Sequence, residues 1–342
     1  VYYVHVYVSS PLSLSLSLAS KFSKMCRKIQ CSSCSKATWA GCGAHIESAL
    51  QGVAVEDRCP GWETGKCPGP VTEFEATVES NPNQDDQILA QQNQIQDQIA
   101  AEQPLIGSKI AVSSLRPEYE RNPSPAFVEG IDYLDKAYPG GLRRVRGDGN
   151  CFYRGLLFGL LEQLVLHRDG WGGAELARLT GVVEGSGALL VALGYSEVAF
   201  EMFQEAFLEE LRALGEKTPA GLEALFNEDG GAGDYLVWYC RLLAAAQFKG
   251  DPEAYLPFLG GADVDSFCQA EVEPMGKECE QVQIMALTRA LGITVAIEYL
   301  DGSPLQDGKI SKLVLPSEET GAPPAWVTLL YRPGHFDILY TQ

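Results

Sequence analysis

Residues 144–164 read RVRGDGNCFYRGLLFGLLEQL, and this stretch has two halves of different character. The tetrapeptide Gly-Asp-Gly-Asn combines two glycines with two turn-forming residues, which is typical of a tight loop with positive φ angles. The second half is apolar at every fourth position from Phe152 to Leu164, which predicts a helix. Cys151 therefore stands at a helix N-terminus, directly after a tight loop.

The predicted position of Cys151 has two chemical consequences. The dipole and the unpaired N–H groups of a helix N-terminus favour thiolate over thiol, and a thiolate is nucleophilic. The same N–H groups, with those of residues 148–150, can point at an oxyanion formed beside the sulfur. A buried and inert thiol is the alternative interpretation, because most cysteines are buried for packing alone.

A nucleophilic cysteine needs a base, and the chain has four histidines. Two precede residue 50, and His167 lies about 24 Å from Cys151 along the same predicted helix, which is too far for proton transfer. His335 is left as the candidate. Asp337 follows two positions later, and residues two apart in a strand share a face, so its carboxylate can fix the imidazole tautomer that activates Cys151.

The remaining patterns predict helices first and strands last. Helical patterns separated by Gly-rich turns cover 151–168, 197–214, 233–248 and 279–291. Strand patterns cover 293–300, 326–331 and 336–340, and a Pro-Gly turn joins the last two into a hairpin. Helices followed by an antiparallel sheet predict an α+β fold.

Five segments of the chain form a recognisable series: GDGNCFYRGLLFGLLEQL (147–164), DYLVWYCRLL (234–243), FCQAEVEPMGKECEQVQIMAL (267–287), VAIEYL (295–300) and LLYRPGHFDILY (329–340). They resemble segments of the otubains, the ovarian-tumour-type cysteine proteases that remove ubiquitin. They occur in the order of that family across residues 84–342.

The resemblance implies a papain-like α+β fold, with a helical part and an antiparallel sheet, and hydrolysis of the isopeptide bond after the C-terminal glycine of ubiquitin. It makes Cys151 the nucleophile, His335 the base and Asp337 the third member of the triad, and it places Asp148 in the oxyanion loop. It implies no cofactor for catalysis. The implied partners are ubiquitin, ubiquitin chains and a ubiquitin-conjugating enzyme, and the implied location is the cytoplasm, with the nucleus as a second site.

Two other functions fit the same resemblance. One is a catalytically silent ubiquitin-binding protein that acts by docking a conjugating enzyme. The other is a protease for a different ubiquitin-like modifier. The presence of all three triad residue types, Cys151, His335 and Asp337, favours the deubiquitinating enzyme over the docking protein.

Residues 25–69 form a Cys-rich segment outside the otubain resemblance and hold six of the ten cysteines. Cys31-x2-Cys34, followed by Cys42-x2-His45, has the spacing of a structural zinc site with four soft ligands. We therefore expect one zinc ion there. Cys59 and Cys67 can replace either outer ligand, and a segment of unligated thiols or disulfides is the alternative.

The residues on either side of the Cys-rich segment, and the start of the otubain-like region, have patterns of their own. Residues 1–24 include a Leu-Ser alternation, and we expect them to be untranslated leader ahead of a natural start at Met25, with a targeting or disordered segment as the alternative. Residues 70–83 read as a polar linker. A Gln-rich helix is predicted from residue 85, with Ile88, Ile95 and Ile99 on one face. It resembles the ubiquitin-contacting arm of the otubains, and a solvated surface helix is the alternative.

Composition excludes two classes of function. The chain has 45 acidic against 26 basic residues, and residues 1–75 hold only six of the acids but seven of the bases. The rest of the chain is strongly acidic and would repel a nucleic-acid backbone. No run of about 18 apolar residues occurs, so no membrane-spanning helix is expected.

Overall fold

The computed structural model describes residues 26–31, 34–41, 46, 50, 52–62, 67, 103–316 and 323–342. The proposed leader (1–24), the linker (70–83) and the Gln-rich helix up to residue 102 lie outside the described residues. The chain divides into two compact units, Val1–Asn81 and Pro82–Gln342.

The first unit contains a β-hairpin. Strands β1 (Cys26–Gln30) and β2 (Ala37–Gly41) pair antiparallel. A short 3₁₀ helix, Val55–Asp57, precedes Arg58, which forms a parallel bridge with Ala37 at the start of β2.

The second unit contains ten α-helices and six strands among its described residues. The helices are α1 (Arg116–Tyr119), α2 (Ala126–Ala137), α3 (Cys151–Leu166), α4 (Trp171–Ala192), α5 (Glu197–Ala213), α6 (Pro219–Phe226), α7 (Ala232–Gly250), α8 (Pro252–Tyr255), α9 (Val264–Phe267) and α10 (Gln281–Leu291). The strands are β3 (Ile106–Ile110), β4 (Gly141–Val145), β5 (Val295–Tyr299), β6 (Ser311–Leu315), β7 (Val327–Arg332) and β8 (His335–Tyr340). Three 3₁₀ turns (Val112–Leu115, Leu214–Glu216, Leu256–Phe258) and a π-turn (Cys268–Val272) connect them.

The six strands form one sheet in the order β3-β4-β8-β7-β5-β6. The prediction of a purely antiparallel sheet was wrong at one pair, because β5 and β7 run parallel. The physical reason is the connection after β6: β6 pairs antiparallel on one edge of β5, and the chain then returns to the opposite edge as β7. The predicted β7–β8 hairpin is confirmed, with Arg332 opposite His335.

The sheet carries an apolar layer on each face. Helix α3 packs against β7 and β8 and is buried along most of its length, because its sequence is apolar on every side. The opposite face is covered by α2, whose Ile131 and Leu134 join Leu330 and Leu339 of the sheet in a second apolar cluster. The α+β fold is thus a sheet between helices, with the N-terminus of α3 close to the start of β8.

Several elements were not predicted from the sequence. Strand β4 contains two arginines, and ordinary strand patterns do not include buried charged residues. One of the two, Arg143, is buried beside Glu162. Helix α4 contains five glycines, which weaken the helical pattern. The four predicted helices are present as α3, α5, α7 and α10. In the described part of the chain, none of the helices is both long enough and apolar enough to cross a membrane.

Candidate active site

Cys151 is the first residue of α3, and its side chain is only 6% exposed. The preceding Gly149 has a φ of 76°, in the left-handed region that favours glycine, and Asn150 then leads into the helix. The predicted arrangement of tight loop, cysteine and helix is therefore present. The first N–H groups of α3 have no partner within the helix, as at any helix N-terminus.

A second loop fixes the loop that precedes Cys151. A Cβ atom at Gly149 would lie 2.0 Å from the carbonyl oxygen of Gly276, so the two backbones touch and only glycine fits. The Gly276 N–H donates to Asn150 Oδ1 at 2.9 Å. The loop therefore has little freedom to move away from Cys151.

Arg241 of α7 binds the same two loops from inside the protein and is 0% exposed. Its guanidinium donates to the carbonyl oxygens of Gly149 (2.9 Å) and Lys277 (2.7 Å). It also donates to Asn150 Oδ1 through Nε (3.2 Å) and Nη2 (2.8 Å). The guanidinium lies over the Tyr153 ring, 4.3 Å from its centroid. One buried cation thus ties the backbone on both sides of the site together.

Asp148 stabilises the loop with its side chain. Its Oδ1 accepts from the Asn150 N–H at 2.9 Å, which closes a turn, and from Nη1 of Arg154 at 2.9 Å. Burial alone would raise the pKa of Asp148, but the hydrogen bonds and charge of Arg154 hold it below its usual value. Arg154 is itself buried and binds Asp234 of α7 at 3.0 Å. The carboxylate therefore links the loop to α3 and, through Arg154, to α7.

His335 and Asp337 lie on the same side of β8, as the spacing predicted. His335 Nε2 is 2.8 Å from Asp337 Oδ1, and the imidazole also hydrogen-bonds to the Cys151 side chain. A carboxylate can only accept, so Nε2 carries the proton and Nδ1 is left to face the sulfur. A Cβ atom at Gly147 would lie 3.5 Å from Nδ1, so this nitrogen lies beside the loop that precedes Cys151.

The surroundings of His335 favour its charged form. Burial works against the imidazolium, but the hydrogen bonds to Asp337 and Cys151 raise the pKa of His335 to about 9. Cys151, His335 and Asp337 therefore form a connected Cys–His–Asp arrangement in which the imidazole has a partner at each ring nitrogen.

Asp337 is fully buried and its carboxylate is saturated with donors. Oδ1 accepts from the Val145 N–H at 3.0 Å as well as from His335. Oδ2 accepts from Nε and Nη2 of Arg332 at 3.0 and 2.8 Å. Burial alone would raise the pKa of Asp337, but His335 and Arg332 together keep it below its usual value.

An open cleft of about 510 Å³ lies next to the imidazole. Its walls include His335, Gly147 and Arg332 together with Glu118 and Arg144. Glu118 accepts from both arginines, so the charged groups of this wall are paired with one another. The cleft gives solvent and a polar ligand access to the side of His335.

Other candidate residues lie elsewhere. His167 follows the last residue of α3 and stacks on Trp171, with 5.0 Å between the ring centroids, so it is remote from Cys151 as predicted. In the first unit, Cys31 and Cys34 lie together, but the cysteines beside them are Cys59 and Cys67. The other two predicted zinc ligands, Cys42 and His45, lie outside the described residues.

Sequence reasoning missed the three arginines that hold the site, Arg154, Arg241 and Arg332. Arg241 stands inside the apolar run LVWYCRLLAAA, and a charged residue within a helix apolar on all sides needs a buried partner. That signal marks the position as unusual. It does not identify the partners, which come from loops more than thirty residues away in the chain.

Comparison with known proteins identifies the family. The model described as Peptidase C65 Otubain matches residues 98–341. The chain belongs to the otubain family. A relative from Arabidopsis thaliana, OVARIAN TUMOR DOMAIN-containing deubiquitinating enzyme 1, is 38% identical over 268 residues, covering 73% of this chain and 85% of that protein. Ubiquitin thioesterase OTUB1 from Homo sapiens is 38% identical over 258 residues, covering 75% and 90%.

Solved otubain structures are also similar. The complex h/ceOTUB1-ubiquitin aldehyde-UBC13~Ub has a TM-score of 0.69 at 34% identity, covering 76% of this chain and 99% of the matched chain. These findings confirm the predicted family, the α+β fold and the enzyme class, a cysteine-type deubiquitinase. A separate model, described as a domain of unknown function (DUF8730), matches residues 25–69, ahead of the otubain match.

Proposed function

We propose that this otubain hydrolyses the isopeptide bond after the C-terminal glycine of ubiquitin, with Cys151 as nucleophile, His335 as acid and base and Asp337 as the residue that orients it. The observation that carries the proposal is the placement of His335. Its Nε2 hydrogen-bonds to the buried Asp337 at 2.8 Å, while the imidazole also binds the side chain of a cysteine at a helix N-terminus.

The first half of the reaction forms a thioester. His335 takes the Cys151 proton, and the thiolate attacks the carbonyl carbon of the isopeptide bond. The resulting imidazolium then protonates the lysine amine as it leaves. Asp337 keeps the Nε2 proton in place throughout, so Nδ1 always faces the reacting atoms.

The second half releases the product. Water, deprotonated by His335, attacks the thioester carbonyl, and the Cys151 thiolate departs. These steps use only side chains, backbone groups and water.

The oxyanion of each step would be held by backbone N–H groups near Asp148 and Cys151. Donors of this kind accelerate a reaction only when they are already in place, since reorganisation would cost free energy. The contacts of Arg241 with Gly149 and Asn150, and of Asp148 with Arg154, supply that rigidity.

We propose ubiquitin and ubiquitin chains as substrates and a ubiquitin-conjugating enzyme as a further partner. The support is the similarity to solved OTUB1 complexes that contain ubiquitin aldehyde together with UBC13~Ub or UBCH5B~Ub. The strongly acidic composition beyond residue 75 agrees with a substrate tail that carries arginine.

Di-ubiquitin cleavage by purified full-length chain tests the proposal. Cys151→Ser should abolish turnover while ubiquitin binding survives, because His335 cannot readily ionise a hydroxyl. His335→Ala should be nearly as damaging. Cys240→Ala, a buried cysteine of α7 that does not contact the triad, is the matched control and should keep most of the activity.

Three outcomes would contradict the proposal. Cleavage by Cys151→Ser at the wild-type rate would remove the assigned nucleophile. Inert wild-type protein that still binds ubiquitin would support the docking function instead. Cleavage of another modifier in preference to ubiquitin, measured with matched fluorogenic substrates, would change the substrate but leave the triad in place.

A further inference from the structure

Four cysteines of the first unit converge on one point. They are Cys31, Cys34, Cys59 and Cys67, and their sulfur atoms all lie within 4.8 Å of one another. Cys59 is buried, with 1% exposure, and the other three are half-buried. These residues are separate from the otubain site, which lies entirely in the second unit.

The backbone after β1 presents the first pair. The Cys31 N–H donates to the Lys36 carbonyl at 2.9 Å, and the Ser35 N–H donates back to the Cys31 carbonyl at 2.9 Å. Ser35 has a φ of 60°, a conformation that serine rarely adopts outside tight turns. The chain therefore makes a compact knuckle that carries Cys31 and Cys34 on one side.

The second pair is brought in by a strand-like contact. The Cys59 N–H donates to the Ala37 carbonyl at 2.7 Å, next to the bridge between Ala37 and Arg58. The Trp62 N–H then donates to the Cys59 carbonyl at 2.9 Å, which closes a turn directly after Cys59. The Arg58 guanidinium lies 4.5 Å from the centroid of the Trp62 ring. These contacts place the second pair beside the knuckle.

We propose that Cys31, Cys34, Cys59 and Cys67 bind one structural zinc ion as four thiolates. A tetrahedron with Zn–S bonds of about 2.3 Å has S···S edges of about 3.8 Å, so the observed cluster needs only a small contraction to close around the ion. Four sulfur ligands leave no open position, which is the arrangement of a structural rather than a catalytic site.

Few of the described residues of this unit are buried, so a bound metal ion would add to its stability. Among its described residues, the buried ones are Thr38, Leu50, Arg58, Cys59 and Gly61. An isolated two-stranded hairpin is marginal in water, and units of about 40 residues usually need a metal or disulfides for stability. The ion would join the knuckle at one end of the hairpin to the segment around Cys59 and so add to the few buried contacts among the described residues of this unit.

The proposal differs from the sequence expectation in two ligands, Cys59 and Cys67 in place of Cys42 and His45. The two sets can be told apart by the ligand atoms, since one is all sulfur and the other includes an imidazole nitrogen. The experiment uses the full chain carrying Cys151→Ser, so that the catalytic thiolate cannot bind metal.

Zinc content is the first measurement. We expect about one equivalent of zinc per chain by elemental mass spectrometry. Cys59→Ser and Cys67→Ser should each lower it to below about half an equivalent, because a three-sulfur site is weaker and incompletely closed. Cys42→Ser is the matched control from the same segment and should keep the full equivalent.

X-ray absorption at the zinc edge is the second measurement, and it does not depend on how the variants fold. A shell of four sulfur atoms at about 2.3 Å supports the proposal. A shell that includes nitrogen at about 2.0 Å, or zinc loss in Cys42→Ser but not in Cys59→Ser, would overturn it. Purified chain without metal that takes up none when zinc is added would overturn it as well.

Discussion

The guanidinium of Arg332 binds Asp337 Oδ2 through two nitrogens, while His335 binds the other oxygen of the same carboxylate. The two partners of the Asp337 carboxylate have different effects. One oxygen binds and orients His335, and Arg332 supplies the positive charge that lets a fully buried carboxylate remain ionised. Arg332 is in turn held by Glu118 of α1 at 3.0 Å. The orientation of the His335 imidazole therefore depends on the residue that pairs opposite it across the β7–β8 hairpin.

Arg332→Met should impair both activity and stability, because it leaves Asp337 buried without a cationic partner. We expect a loss of about 3 kcal/mol in the free energy of unfolding, measured by urea denaturation. The pKa of Asp337 should rise, so the fall of kcat/KM on acidification should move to higher pH. Arg144→Met is the control, because Arg144 binds Glu118 but not Asp337. Equal effects of the two substitutions would contradict this role of Arg332.

The pH profile of kcat/KM should show an alkaline limb near pH 9. His335 has a pKa of about 9 against an ordinary value of 6.5, and the imidazolium is the form that protonates the leaving amine. Activity should therefore persist from neutral pH upward and fall as the pH passes through 9. Protonated His335 also stabilises the fold. Its contribution to the free energy of unfolding should decrease as the pH rises from about 6.5 to 9.

Asp337→Asn should move that alkaline limb to lower pH. The neutral amide no longer stabilises the imidazolium, so the pKa of His335 should fall toward its ordinary value. Asp337→Ala also frees the ring to rotate and should lower kcat/KM by about 10–10⁴-fold while leaving a residual rate. An alkaline limb that stays near pH 9 in Asp337→Asn would show that His335 does not depend on this carboxylate.

Asp148 should tolerate Asn better than Ala. Asn keeps an acceptor for the Asn150 N–H and so keeps the turn, whereas Ala loses both this bond and the pairing with Arg154. We expect kcat to fall further in Asp148→Ala than in Asp148→Asn, with KM changing less than kcat. Asp234→Asn removes the other carboxylate of Arg154 without touching the loop. It should lower stability yet leave kcat closer to the wild-type value than Asp148→Ala does. A lower kcat in Asp234→Asn than in Asp148→Ala would contradict the role of the loop.

Arg241→Lys should damage catalysis as well as stability, because one ammonium cannot reach the four backbone and side-chain acceptors that the guanidinium binds. A loss of about 2–4 kcal/mol in the free energy of unfolding is expected for a buried cation with unsatisfied partners. Arg212→Lys on the exposed face of α5 is the matched control and should change stability by less than about 0.5 kcal/mol. If Arg241→Lys unfolds at a lower temperature but keeps the wild-type kcat, Arg241 stabilises the fold and has no effect on catalysis.

The pattern of the sequence was sufficient for the centre of the site because its signals are local. A turn of glycines and Asx residues before Cys151, and a His-x-Asp pair at the start of a strand, depend only on neighbouring residues. The late strands and four of the helices follow from apolar periodicity in the same way. Strand β4 was missed because two arginines interrupt its pattern. Arg143 is tolerated there because Glu162 and Glu223 on distant helices and the Gly107 carbonyl bind its guanidinium.

The partners of the proposed catalytic residues could be found only from the tertiary structure. The sequence gives the identity of Arg332, Arg241 and Arg154 but not their partners. Their function depends on which carboxylate or carbonyl faces each of them after folding. The metal cluster shows the same limit. Spacing favoured Cys42 and His45 as the second ligand pair, whereas the backbone hydrogen bond from Cys59 to Ala37 brings Cys59 and Cys67 to the knuckle instead.

The sequence by itself determined the family and predicted the nucleophile and its base, since each depends on short runs whose geometry is set within one turn or one strand. Only the tertiary structure decided what holds those residues in place. Buried charges are stable only when opposite charges or carbonyl groups surround them, and here those groups come from segments far apart in the chain. The parallel pairing of β5 with β7 also depends on the tertiary structure, because after β6 the chain returns to the other edge of β5.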